Sequence, residues 1–248
     1  MNLNTINRAF LYGDLLFETI KVQNHQPLLA HAHYDRLIKS ATLLKFDHQL
    51  SYDLFIEMIY NKCVAENLES ARARFVMHRN TDGFYRPNGN DTLSFVEVFP
   101  LCLKVQPKTV GLYTDNYKPC NELSTIKSGN ALLYVMAAIW AKEQQLDDAI
   151  ILNEHGCVCE ATSSNVFAVK NNEVFTPSIN EGCVDGIMRR NILKQLYKQE
   201  YIIREGVLTL EQLKEANAAF LTNAIQGVVP IKSFDGMSLG VFDFDVLL

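Results

Sequence analysis

Apolar and polar positions change period several times along the chain, and the changes mark out its elements. Leu15–Val22 (LLFETIKV) is rich in β-branched and aromatic residues and reads as a strand. From Ala30 to Leu44, Tyr34, Leu37, Ile38, Ala41 and Leu44 recur at three- and four-residue steps, which places them on one face of a helix. A second helix runs from about Tyr52 to Glu66, after the turn-like Asp47 and Ser51. Strand patterns at Ala71–Arg79 and Thr92–Pro100 flank TDGFYRPNGND, a Gly- and Asn-rich loop with two aromatics. Loops of this kind often carry function. Lys104–Pro107 reads as a hinge. Beyond it come a strand near Val110–Thr114, a loop to Lys127 and a helix over Asn130–Gln145. Short strands follow at Ala149–Leu152, Val166–Val169 and Val174–Thr176. Helices are expected from about Gly186 to Lys198 and over Leu210–Ala216. Ala218–Thr222 and Val228–Ile231 are strand-like.

Strands and helices alternate irregularly, so the expected class is α+β in two lobes. A small N-terminal α/β lobe (1–104) would precede a larger C-terminal lobe (108–248) that carries Lys127. Pockets are commonest between lobes, which is where a ligand is expected. Hydrophobic residues make up 48% and charged residues 21%, enough apolar material for a packed core. The net charge of −5 and the lack of any block of Lys and Arg give nucleic acid and anionic membranes little electrostatic support as partners, and neither is expected. A small molecule is the partner that fits. The N-terminal MNLNTINRAFLYGD lacks a basic region followed by an apolar run, and Ala131–Ala141 is far too short to span a bilayer. Six scattered cysteines do not form a disulfide framework and suit a reducing cytoplasm. Cys157 and Cys159 fit alternation along a strand better than a zinc site, and no metal is expected.

Four stretches carry possible chemistry: HAHYDRL, STIKSGN, CEATSSN and VDGIMRR. Lys127, after a β-branched pair and before Ser-Gly-Asn, is by default a solvated residue where a strand gives way to a helix. Its functional alternative is a Schiff-base nucleophile. Glu160 is either a solvent-facing turn carboxylate or an acid pairing with a cofactor nitrogen. Arg36 makes an ordinary surface ion pair or clamps a phosphate. Gly186 opens a helix, and the amides of Ile187 and Met188 are then free to face an anion, unless the glycine serves only a turn.

Taken in order, RAFLYGDLLFETIKV, H-x-x-R-L at His33–Leu37, I-K-S-x-N, E-x-x-S-S-N and G-I-M-R at Gly186–Arg189 resemble the motifs of fold type IV pyridoxal-phosphate enzymes. That superfamily is branched-chain-aminotransferase-like and includes D-amino-acid aminotransferases and 4-amino-4-deoxychorismate lyases. The resemblance runs from about Asn7 to Ile231. It implies a two-lobed fold with pyridoxal 5'-phosphate between the lobes, and a homodimer.

By the same resemblance, Lys127 binds the cofactor covalently and later shuttles a proton, and Glu160 holds the ring nitrogen protonated. Arg36 and the amides of Ile187 and Met188 hold the phosphate, and Val184 packs against the ring. Ser164, Asn165 and Asn223 match positions beside the cofactor. Tyr12 matches a tyrosine on the substrate side. Arg79 and Arg86 flank the TDGFY loop and are candidates for a substrate carboxylate. Asn223-Ala224 stands where the family's aminotransferases carry a Ser/Thr-rich stretch with a phosphate-touching threonine, and VDGIMRR also resembles the lyases. The expected activity is therefore a lyase releasing pyruvate and 4-aminobenzoate for folate synthesis. IKSGN and TSSNVF are similar to D-amino-acid aminotransferases about equally. A class IV aminotransferase of branched-chain or D-amino acids is thus the alternative, and a non-catalytic cofactor binder is a second. Two departures are a reduced strand before RAFLYGD and a chain that stops soon after Pro230.

Overall fold

A computed structural model describes residues 7–103, 105–199, 201–240 and 242. The described residues form two compact units. One comprises those of Met1–Leu103 with Ile126–Asn130, the other those of Lys104–Thr125 with Ala131–Leu248.

The first unit opens with a five-residue helix, α1 (Arg8–Tyr12), whose Asn7 side chain accepts the Phe10 N–H at 3.1 Å. It ends at Gly13 with φ 64°, and a Cβ there would lie 2.6 Å from Asn130 Oδ1, so both the turn and the close approach require glycine. Strand β1 (Leu15–Gln23) buries every second residue: Leu16, Glu18, Ile20 and Val22. The two-residue β2 (Gln26–Pro27) turns back beside it. Helices α2 (Ala30–Leu43) and α3 (Tyr52–Ala65) follow, the latter capped by Ser51. Strands β3 (Ala71–Arg79) and β4 (Thr92–Pro100) complete an antiparallel sheet of order β2-β1-β3-β4. Phe55, Ile59, Leu37 and Ala41 of the helices meet Leu16, Ile20, Phe75 and Met77 of the strands in one core.

The second unit begins with β5 (Lys108–Lys118), four residues longer at its end than its apolar pattern suggests. A 3-10 turn at Glu122–Ser124 precedes α4 (Leu132–Glu143). Strands β6 (Asp148–Asn153), β7 (Val158–Ala161), β8 (Asn165–Lys170) and β9 (Glu173–Pro177) come next. After them are α5 (Ile187–Lys198), β10 (Ile202–Gly206), α6 (Leu210–Lys214), β11 (Ala218–Asn223), β12 (Gly227–Phe234) and β13 (Met237–Ser238). The sheet order is β10-β9-β8-β11-β12-β5-β6-β7, with β13 beside β12. It is mixed, with β10/β9, β12/β5 and β5/β6 parallel. Strand β6 is buried throughout, as a strand covered on both faces must be. Helix α4 packs on β5 and β6, and α5 packs on β10 and β11.

The α+β expectation holds, and the strands Ala71–Arg79 and Thr92–Pro100 have the expected limits. One feature of the expected division is corrected. Lys127 belongs with the first unit, because Phe17 N–H donates to Lys127 O at 2.9 Å and Gly129 N–H donates to Leu15 O at 3.1 Å. These bonds, with the Leu16–Ser128 bridge, lay the segment along β1 in place of a strand-to-helix turn. Part of the expected hinge, Lys104, lies outside the described residues, as do residues 1–6, where the reduced leading strand was placed. Among the described residues, no helix is long and apolar enough to cross a membrane.

Candidate active site

In the first unit the lysine and the arginine are both tied to β1. The Lys127 ammonium sits 4.4 Å from the centroid of the Phe17 ring. Glu18, one residue on, points to the buried face of the strand. Arg36 Nε donates to Glu18 Oε1 at 2.8 Å, its Nη2 reaches Oε2, and His33 Nδ1 donates to Oε2 at 2.6 Å. The H-x-x-R spacing places His33 and Arg36 on one face of α2, one turn apart, so both meet the same carboxylate. Burial is the largest influence on Glu18 and raises its pKa. The Arg36 charge and the hydrogen bonds from His33 and Arg36 outweigh it and hold the carboxyl at about 2. Arg36 is thus an oriented, buried guanidinium, not a surface ion pair.

The RAFLYGD motif proves to be an anchor for the aromatic loop. Asp14 Oδ2 accepts Arg8 Nε at 2.9 Å and Arg79 Nε at 3.0 Å, and Arg8 also donates to the carbonyls of Gly83 and Phe84. Tyr12 lies 5.4 Å from Tyr85 ring to ring, under the Arg8 guanidinium. Arg79 is 6% exposed and bonded to Asp14, Asn90 and the Leu44 carbonyl. Its expectation as an exposed loop arginine for a substrate carboxylate is corrected, since all three guanidinium nitrogens are used in holding β3 to its neighbours. Arg86 is exposed at the loop tip.

In the second unit Glu160 lies on β7, 3% exposed, and not at a solvent-facing turn. Its Oε1 takes the Lys118 ammonium and the Tyr134 hydroxyl (2.7 Å), and its Oε2 takes the Val184 N–H at 2.9 Å. Burial first, then the adjacent Glu160 carboxylate, push the Tyr134 phenol far above its usual range, so the hydroxyl stays a donor. The turn after β7 is pinned from beneath: Asp148 accepts Thr162 Oγ1 at 2.6 Å and pairs with Lys108 at 2.6 Å. Ser164 and Asn165 follow that turn, both buried. Asn165 Nδ2 donates to the Val184 carbonyl at 2.9 Å. A Cβ on Gly186 would lie 1.9 Å from Asn165 Oδ1, so this approach needs glycine.

Gly186 is the N-cap of α5 and provides no side-chain cap. The amides of Ile187 and Met188 therefore lie in a first turn with no intrahelical acceptor, at the positive end of a twelve-residue helix. Arg189, the last residue of G-I-M-R, is structural: its Nη2 bonds the Pro177 carbonyl and Glu205, both at 2.7 Å. Asn223 is bonded within the protein through both ends of its amide. Its Oδ1 accepts the N–H groups of Ile225 (3.0 Å) and Gln226 (2.8 Å), and its Nδ2 donates to Ser164 Oγ at 3.0 Å. It shapes the β11–β12 turn and ties that turn to the Ser164 loop.

Sequence reasoning missed Glu18, Lys118, Tyr134 and Asp148. Glu18 had a signal, since it shares the inward parity of Leu16, Ile20 and Val22. The others became visible only through the pairing of β5, β6 and β7 and the packing of α4 on β5 and β6. Cys159 and Cys183 are buried thiols. Burial raises both, Cys183 to about 12, and each donates to backbone carbonyls. Among the described residues one further donor set, Cys120, Glu154 and His155, has its ligand atoms within 4.8 Å of one another; it was not foreseen.

The second unit thus brings together Glu160, Ser164, Asn165, Val184, Gly186–Met188 and Asn223. They offer a carboxylate with, among the described residues, one unfilled acceptor position, and a helix N-terminus built around a glycine. That donor and acceptor set fits the two ends of a phosphorylated pyridine. The family model for amino-transferase class IV matches residues 15–234, and the chain belongs to that family. It is accordingly a pyridoxal-phosphate enzyme of the lyase or aminotransferase kind. A Methanocaldococcus jannaschii protein named for branched-chain-amino-acid aminotransfer is 29% identical over 94% of this chain and 83% of its own length. The aminodeoxychorismate lyase of Bacillus subtilis is 24% identical over 96% of this chain and 83% of its own. A Legionella pneumophila structure bearing the name 4-amino-4-deoxychorismate lyase superposes with a TM-score of 0.92 at 28% identity, covering 97% of this chain and 91% of that one.

Proposed function

We propose that the protein is a 4-amino-4-deoxychorismate lyase, which removes pyruvate from its substrate and leaves 4-aminobenzoate, as folate synthesis requires. The observation that carries this reading is the turn after β11. Where the family's aminotransferases offer a threonine hydroxyl to the phosphate, this chain has Ala224, and Asn223 spends its side chain on the turn and on Ser164.

Bound pyridoxal phosphate supplies an aldehyde for amine capture and an electron-withdrawing ring. The chain's own residues do the rest. Glu160 would accept the ring N–H and keep that nitrogen protonated. The Ile187 and Met188 amides would hold the phosphate with the help of the helix dipole, and Arg36, oriented by Glu18, would be its guanidinium partner. Val184, its backbone fixed by Glu160 and Asn165, would pack against the ring. Lys127 would be the amine that holds the aldehyde and the base that moves the substrate proton. Tyr12 stands on the substrate side, with Arg86 at the loop tip as a carboxylate partner.

The protein is also read as a homodimer. In support, Leu132 (78% exposed), Val135, Met136 and Ile139 of α4 form an exposed apolar stripe at helical spacing. A reducing cytoplasm suits six free cysteines.

The test is to mix the holoenzyme with L-glutamate, L-branched-chain amino acids and D-alanine in turn while following the absorption band of the bound cofactor. A band that persists with all of them, together with pyruvate release from aminodeoxychorismate, is expected. Rapid loss of the band with one amino acid, reversed by a 2-oxo acid, makes the protein an aminotransferase and removes the lyase assignment.

A further inference from the structure

Lys118 is the last residue of β5 and is 3% exposed, although the four residues before it are all exposed. A strand end that sends Thr114–Tyr117 to water and buries an ammonium reverses the usual preference, and it requires a partner. The register between β5 and β6 shifts between Tyr113 and Lys118 and resumes with Lys118 opposite Asn153. Such an irregularity re-aims a side chain. The backbone is pinned there, since Glu154 N–H donates to Lys118 O at 2.9 Å. The ammonium lies against Glu160 Oε1 and 5.2 Å from the centroid of the Tyr134 ring, whose hydroxyl donates to the same oxygen.

A carboxylate oxygen accepts about two hydrogen bonds. Lys118 and Tyr134 fill Oε1, whereas among the described residues Oε2 has a single donor, the Val184 amide. We propose that Lys118 and Tyr134 are positioning residues for Glu160, which occupy Oε1 so that Oε2 is the one oxygen presented to the ring nitrogen of pyridoxal phosphate. The proposal rests on the assignment of Glu160 as the ring-nitrogen partner and holds for lyase and aminotransferase alike. Three fixed donors remove the carboxylate's freedom to rotate, which orients the acceptor before the cofactor arrives. The ammonium also offsets the carboxylate charge, so the ring nitrogen faces one end of an ion pair. Lys118 thereby sets how strongly the ring draws electrons.

The experiment compares cofactor Kd and the absorption spectrum of the bound cofactor in the wild type, Lys118→Met, Lys118→Arg, Tyr134→Phe and Glu160→Gln, with folding checked by circular dichroism. Lys118→Met is expected to shift the visible maximum and weaken cofactor binding about tenfold. Lys118→Arg should restore both, and Tyr134→Phe should give a smaller shift in the same direction. Wild-type spectrum and affinity in a folded Lys118→Met, beside a shifted Glu160→Gln, overturn the proposal and leave the Glu160 assignment standing. An unshifted Glu160→Gln overturns that assignment and the proposal with it. Where Lys118→Met does not fold, Tyr134→Phe decides: a shifted spectrum supports the proposal, and an unchanged one overturns it.

Discussion

Glu18 shows how much one residue in a strand pattern can carry. Its neighbours Leu16, Ile20 and Val22 are inward apolar residues, so an ionised carboxyl at that parity must be matched or expelled. His33 and Arg36 match it, and the match has a pH signature. The folded-state pKa is lowered from 4.5 to about 2, so the stabilisation is fully present above 4.5 and is lost as pH falls toward 2. A depression of this size is worth on the order of 3 kcal/mol. Glu18→Gln should therefore lower stability by a few kcal/mol at pH 7 and flatten the stability–pH curve between about 5 and 2, as read by urea unfolding at each pH. An unchanged slope would show that Glu18 is not the acid-sensitive group. Arg36 was legible as a candidate from H-x-x-R-L. Its partner was not, because a lone Glu in FETI has no local signal beyond parity.

Among elements, the entry to α5 is the most constrained. Gly186 caps the helix, and its α-carbon faces Asn165 Oδ1 so closely that a methyl group has no room. Gly186→Ala should thus displace the Asn165 side chain or the helix start and weaken phosphate binding about tenfold or more. Asn165→Ala made with it should recover part of that loss, because the clash is with that side chain. A double-mutant cycle on cofactor Kd reads the coupling, and strictly additive losses would count against a shared steric cause. The motif D-G-I-M-R pointed to this helix start, and Gly186 was placed within one residue of its role. Two short elements, α1 and β10, escaped for a plain reason. α1 has five residues and β10 is a five-residue strand with the polar pattern IIREG, so neither is long enough to show a period. Arg79, a substrate candidate from the sequence, is buried in a network of a backbone carbonyl, an amide and a carboxylate, and Arg189 is buried in a similar one. Such networks arise from sheet pairing and leave no local trace.

At the scale of the molecule, both units are made of discontinuous chain. Ile126–Asn130 leaves the second half to pair with β1, and this carries Lys127 into the first unit. The apolar stripe of α4 belongs to the same scale. Its opposite face, Ala137 and Ala141 with Trp140, is packed against β5 and β6, so the exposed side chains are not needed for the unit's own core. Ile139→Glu should leave the fold intact and shift sedimentation from dimer to monomer. A wild-type monomer, or an Ile139→Glu dimer, would remove this face as the contact.

The sequence by itself determined the class, the order of the motifs and most elements, because period and turn chemistry act over a few residues and survive in the linear pattern. It also offered Lys127, Glu160 and Gly186 as candidates, through the order of several motifs and not through any one of them. Tertiary structure alone decided which charges are buried and with what partner: Glu18 with Arg36, Lys118 with Glu160, Arg79 with Asp14. Each pair spans eighteen or more residues, and each is set by strand register and helix placement. The cost of burying a charge depends on the whole surrounding fold, so no local window of sequence contains it.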